Sequence, residues 1–145
     1  MAALTASKAR QWPLVADFTW SVGDTMTNAA GNADEFATVA SHVFDAIKLP
    51  YNAIVIGGEV VTETAATGST AYNISVGDAN NTTRYLGATD KTTATRTAIT
   101  PTGYVGDGSD IRITVAPTVA TATAGTFTVR IQYVIRGRTN EMQTT

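Results

Sequence analysis

A chain of 145 residues with 10 Lys and Arg, 12 Asp and Glu, one His and no Cys is a single domain with room for a real hydrophobic core. The missing Cys excludes thiolate metal sites, disulfides and a cysteine nucleophile, and the lone His excludes a multi-histidine metal centre. A pI near 5.2 leaves no electrostatic footprint for nucleic acid, and no apolar run reaches signal-peptide or membrane-spanning length, so neither nucleic acid nor membrane is an expected partner.

Charged residues are only 15% of the chain while 43% is hydrophobic, so it is not disordered and its polar surface comes from elsewhere. Threonine, about a fifth of the residues, supplies it, with Ala, Ser, Asn and Gly behind. A Thr-rich chain studded with Val and Ile reads as an all-β shell, because β-branched side chains fit a pleated surface and lose rotamer freedom in a helix.

Residues 1–13 are small and polar and end in Trp12-Pro13, which reads as an N-terminal arm that becomes ordered only when something holds it. From Leu14 the apolar residues Leu14, Ala16, Phe18, Trp20 and Val22 alternate with Asp17, Thr19 and Ser21, a half-buried strand. Gly23 to Asn32 reads as a loop. Residues 33–47 are ambiguous. Asn32 with Glu35 resembles a capping box, and Phe36, Val39, Ala40, Val43, Phe44 and Ile47 fall at helical spacing. At period two, Val43, Asp45, Ile47 and Leu49 form a strand entering Pro50, which predicts extended backbone over 42–49.

After Pro50, Ile54, Ile56, Val60, Thr62 and Thr64 alternate with Val55, Glu59, Val61 and Glu63, and the pair Gly57-Gly58 marks a bulge or bend. Thr67-Gly68-Ser69 is a turn, with Tyr72, Ile74 and Val76 returning as the second strand of a hairpin. Gly77 to Thr83 is a loop before the short apolar pair Tyr85-Leu86. Asp90 to Thr102, with Ile99 as its one large apolar residue, is an irregular edge strand or a long crossover. Residues 106–110 form a tight turn before alternating Ile111, Ile113 and Val115, and Thr123-Ala124-Gly125 is another turn. In the last strand Phe127, Val129, Ile131, Tyr133 and Ile135 face inward, while Thr128, Arg130, Gln132 and Val134 face outward. Seven or eight strands with turns between them predict a two-sheet β-sandwich, jelly-roll-like, over residues 14–136, with a polar C-terminal tail at 137–145.

Little here supports catalysis. His42 sits in no nucleophile or zinc motif. Glu59 and Glu63, four residues apart on one strand face, stand about 13 Å apart, outside either separation that glycoside hydrolysis uses. Asp78-Ala79-Asn80-Asn81 and Asp107-Gly108-Ser109-Asp110 are rich enough in oxygen for Ca²⁺, yet the same residues build ordinary turns. Trp20 lies on the apolar side of its strand and belongs to the core. Trp12 has no core periodicity and suits docking in a partner's pocket.

The run Lys48-Leu49-Pro50-Tyr51-Asn52-Ala53-Ile54-Val55-Ile56-Gly57-Gly58-Glu59-Val60-Val61, with Ile74-Ser75-Val76-Gly77-Asp78, Arg84-Tyr85-Leu86, Thr123-Ala124-Gly125-Thr126 and Tyr133-Val134, resembles the head decoration (cement) proteins of tailed bacteriophages over residues 45–136. The resemblance implies a non-enzymatic module, free of cofactor and metal, on the outer surface of an icosahedral capsid. It also implies a homodimer or homotrimer that bridges neighbouring major capsid proteins, made in the host cytoplasm and residing in the virion. The expected partner contacts are Lys8, Arg10 and Trp12 in the arm and Arg136 and Arg138 at the C-terminal end, the cations meeting an acidic capsid surface. A carbohydrate- or receptor-binding β-sandwich of a fibre or secreted protein is the alternative, and a hydrolase a distant third. The sequence leaves open the oligomeric state, the symmetry axis occupied and the identity of the capsid partner.

Overall fold

The computed structural model describes residues 3, 4 and 12–137. The described residues are all β, with strands β1 (Leu14–Ser21), β2 (Thr25–Thr27), β3 (Ala33–Glu35), β4 (His42–Ile47), β5 (Ala53–Thr67), β6 (Ala71–Gly77), β7 (Leu86–Asp90), β8 (Arg96–Ala98), β9 (Ile111–Thr118) and β10 (Ala124–Ile135). Two four-stranded sheets carry the fold, in the orders β1-β10-β5-β8 and β4-β9-β6-β7, with β2 and β3 as a separate pair. Every pairing is antiparallel. The eight sheet strands pair outermost with outermost, β1 with β10, β4 with β9, β5 with β8 and β6 with β7. That is the connectivity of a long antiparallel ribbon rolled into a sandwich, a jelly roll.

Alternation builds both layers. In β9 every second residue (Ile111, Ile113, Val115, Pro117) is buried, and β10 buries Phe127, Val129 and Ile131. Between the sheets the aromatic rings interlock. Trp20 lies 5.5 Å from Phe127 and 5.8 Å from Phe36, and Phe36 lies 4.1 Å from Phe44. Tyr72 stacks on Phe127 at 4.8 Å, with only 8° between the ring planes. Each fully buried large side chain stabilises the fold by roughly 1.5–3 kcal/mol, and this column spans both sheets.

Several sequence expectations change. Residues 33–47 form no helix: Ala33–Glu35 is β3, Phe36 and Ala37 are buried in the turn that follows, and β4 begins at His42. Of the residues at helical spacing Phe36, Phe44 and Ile47 are buried while Val39 and Ala40 are exposed, and Phe36 fills the space between Trp20 and Phe44. The segment read as a loop at 23–32 holds β2, paired with β3. Thr67-Gly68-Ser69 turns between the two sheets and not within a hairpin, since β5 pairs with β10 and β8 while β6 pairs with β9 and β7. The 90–102 segment is both things at once, leaving β7 in one sheet and forming the edge strand β8 in the other. Ala124 and Gly125, expected in a turn, already belong to β10.

The glycine pair does mark a bulge. Gln132 faces Gly57 and Tyr133 faces Val55, so Ile56 is the extra residue. The extra residue reverses the inward phase of β5. Ala53 and Val55 are buried before it, Val60 and Thr62 after it, and Ile56 is 42% exposed instead of sharing a face with Val60.

Candidate docking surface

Antiparallel register decides what gathers at each end of the sandwich. The start of β1, the end of β10 and the start of β5 lie side by side, through Leu14 opposite Tyr133 and Ile135 opposite Ala53. The five-residue link 48–52 brings the end of β4 to the same place, and the β6–β7 and β8–β9 connections also end there. One end therefore holds the chain entering β1 and leaving β10.

Of the five residues expected to meet a partner, Lys8, Arg10 and Arg138 lie outside the described residues. Trp12 is 78% exposed, two residues ahead of Leu14. Arg136 is exposed, and its backbone N–H donates to the Asn52 carbonyl at 2.9 Å. The structure thus brings Trp12 and Arg136 to the same end of neighbouring strands. Beside Asn52, Tyr51 is 68% exposed, and Lys48 stands exposed in the same link. Lys48 is not among the partner contacts expected from the sequence. Its one signal is its place in a short link between two strands, and nothing local says that this link lies beside the C-terminal end of β10.

The two oxygen-rich loops meet at this end. Asn80 donates its side-chain amide to Asp107 at 2.9 Å. Asp107 also accepts from the Ser109 backbone and hydroxyl at 3.0 and 2.5 Å. With the Ser109 and Asn80 side chains as the main causes, its carboxyl is held at about 2. Asp78 is buried and accepts from the backbone N–H groups of Asn80 and Asn81 and from Arg84 Nε at 2.5 Å. The Arg84 guanidinium in turn covers the Tyr104 ring at 3.6 Å. Donors of the chain itself thus take up both carboxylates, as in Asx turns. Among the described residues no three His, Cys, Asp or Glu side chains come together as a metal-binding group.

His42 on β4 is paired through Nδ1 with Asp34 on β3 at 3.0 Å, and Asn28 donates to the same carboxylate. Nε2 of His42 is shut off from solvent and has no hydrogen-bond partner, and the Nδ1 contact ties β3 to β4. An open cleft of about 370 Å³ beside it is lined by Asn28, Ala29, Ser41, Thr82 and Arg112 among others. Glu59 and Glu63 face outward on β5. Glu59 receives Arg96 and Arg130, whose hydrogen bonds and charge, Arg96 foremost, hold its carboxyl below the usual range. Glu63 accepts from the Thr128 hydroxyl at 2.9 Å. Trp20 is 1% exposed, a core residue as its strand phase predicted.

The described residues thus form a jelly roll with exposed aromatic rings and cations at one end. No protein-family model matches the chain, and no curated protein matches it. Among solved structures it is similar to a chain in the cyanophage Pam1 capsid asymmetric unit, 25% identical, with a TM-score of 0.62 over 92% of this chain and 94% of that one. The fold is also that of a chain in the acid-stable capsid of Helicobacter pylori bacteriophage KHP30 (TM-score 0.61, 13% identity, 86% and 89% covered). A chain in the capsid of Ralstonia phage GP4 shares it too (TM-score 0.58, 14% identity, 92% and 91% covered). The chain has the fold of phage capsid components along nearly its whole length.

Proposed function

We propose that this protein is a non-enzymatic structural component of a phage virion that binds the outside of an icosahedral capsid and stabilises it by bridging neighbouring major capsid proteins. The observation that carries the reading is the likeness to a chain of the cyanophage Pam1 capsid, which covers 92% of this chain and 94% of that one. The build of the chain supports it. Eight sheet strands around an aromatic core give a stiff body, and threonine hydroxyls suit a wet interface. In this reading residues 1–13 are an arm, Lys8, Arg10, Trp12, Arg136 and Arg138 contact the shell, and the protein acts as a homodimer or homotrimer. Several weak attachments then sum to durable binding.

The test is attachment to shells of the encoding phage, emptied of DNA and stripped of this protein. The full chain should sediment with shells and raise their disruption temperature, and a chain lacking residues 1–13 should lose occupancy. Unchanged occupancy would take the arm out of the mechanism. Failure of the full chain to sediment, together with saturable quenching of Trp fluorescence by sugars, would replace the reading with carbohydrate binding.

A further inference from the structure

Charge is divided unevenly along the long axis of the sandwich. Residues 14–135 contain six Lys and Arg against eleven Asp and Glu. Four of the six cations are spent inside the body, Arg84 on Asp78, Arg112 on Asp45, and Arg96 and Arg130 on Glu59. Lys91 is fully buried. Among the described residues that leaves Lys48 and Arg136 exposed with no carboxylate within ion-pair distance, both at the end that carries Trp12 and Tyr51, where Asp107 and Asp110 are likewise unpaired by any cation and bring the end close to neutral. The opposite end carries Asp24, Asp34, Glu35 and Asp90 together with the buried Lys91 and the half-buried His42, and is the more acidic of the two.

Resting on the capsid reading above, the geometry points to the end bearing Lys48, Tyr51, Trp12 and Arg136 as the face that docks on the shell, against an acidic protein surface with recesses for aromatic rings. Two large rings left 68% and 78% exposed on a body whose other aromatic rings are buried or half-buried are the side chains that dominate interface energetics once desolvated. Cations without an internal partner are free to pair across an interface, and complementary charge sets orientation and association rate. The acidic end then faces solvent, away from a shell of the same sign. A nucleic-acid occupant fits poorly, because two free cations on an acidic body neutralise too few phosphates.

The experiment measures binding of the full-length protein to stripped shells of the encoding phage across a salt series. Lys48→Glu and Tyr51→Ala are compared with Glu35→Gln and Val119→Asn at the opposite end, and circular dichroism confirms that each variant folds. Lys48→Glu should weaken binding about tenfold or more and flatten its salt dependence, and Tyr51→Ala should weaken it by roughly 10–100-fold with the salt dependence kept. The opposite-end variants should bind as the wild type does. If wild-type protein binds while Lys48→Glu and Tyr51→Ala bind equally well, or if the loss appears at Glu35 or Val119 instead, the docking face is wrong and the capsid reading stands. If wild-type protein does not bind shells at all, the capsid reading falls and takes the docking face with it. Double-stranded DNA bound with the same Lys48 dependence would overturn the protein-surface assignment.

Discussion

Trp20 on β1 donates its indole N–H to the Tyr72 hydroxyl on β6 at 3.4 Å, and that hydroxyl donates in turn to the Phe36 carbonyl at 3.0 Å. One phenol oxygen therefore joins the two sheets and pins the turn after β3, all in the buried interior. Tyr72→Phe keeps the stack on Phe127 but leaves an indole N–H and a peptide carbonyl without this partner, which should cost about 1–3 kcal/mol. Urea denaturation should show a lower midpoint with an unchanged slope, and an unchanged midpoint would remove the hydroxyl from the account of stability.

Gly58 is the tightest point between β5 and β10. It has φ of +148°, and a Cβ there would stand 2.2 Å from the Arg130 carbonyl oxygen. Neither strand can retreat without giving up the Gly58–Ile131 register. Gly58→Ala should therefore destabilise by roughly 3 kcal/mol or more, combining backbone strain with overpacking. Gly87→Ala on β7 is the control, because nothing lies within 4 Å of its added methyl. Thermal melts of the two variants should differ by many degrees. Similar melts would mean that the bulge at Ile56 absorbs the methyl group.

Lys91 gives the fold a distinct pH dependence. Its side chain is fully buried, with the Thr97 hydroxyl as hydrogen-bond partner, and burial lowers its pKa from the ordinary 10.5. Between the lowered value and 10.5 the unfolded chain holds a proton that the folded chain has released, so stability rises with pH through that window. Above about 10 the sign reverses. Burial pushes the Tyr85 phenol up to about 12 and Tyr72 further still, so the folded chain keeps protons that the unfolded chain gives up. Denaturation free energy should climb toward pH 10 and then fall. Lys91→Met should abolish the climb, keep the fall, and stabilise the protein at pH 7 by on the order of 1 kcal/mol. A flat wild-type profile from pH 7 to 10 would show that Lys91 keeps its proton when folded.

How much of this was legible in the sequence differs by level. The inward faces of β9 and β10 were, because strict alternation such as Ile111, Ile113 and Val115 with Arg112 and Thr114 between has no helical reading. The jelly-roll family of folds was also foreseen, but not which strand lies in which sheet. Period two says which side of a strand is buried and is silent about its neighbour, so Thr67-Gly68-Ser69 passed for a hairpin although Tyr72 pairs with Pro117. Phe36 misled for a related reason, since a turn tucked under the rim buries apolar residues at any spacing. At the docking end, Trp12 and Arg136 were readable as exposed groups flanking the strands. Their meeting with Lys48 and Tyr51 comes only from long-range antiparallel register, which no local pattern encodes.

Val119 stands in a conformation that its side chain resists. Its φ is +71°, and the Ala120 N–H donates to the Thr118 carbonyl at 2.9 Å, so Thr118–Val119–Ala120 is a γ-turn of the strained, positive-φ kind. A β-branched residue is poorly suited to that region, and at 83% exposure Val119 recovers little by packing. The tight turn is imposed from both sides. β9 and β10 belong to different sheets, and the Ala122 N–H is tied to the Ala37 carbonyl at 3.1 Å. Val119→Asn keeps a side chain at the tip and adopts positive φ more readily, so it should stabilise the fold by about 0.5–1.5 kcal/mol and raise the melting temperature by a few degrees. Val119→Gly should gain less, because the extra freedom of glycine in the unfolded chain offsets part of the relief. A fall in melting temperature with Val119→Asn would mean that the valine is held by contacts worth more than its strain.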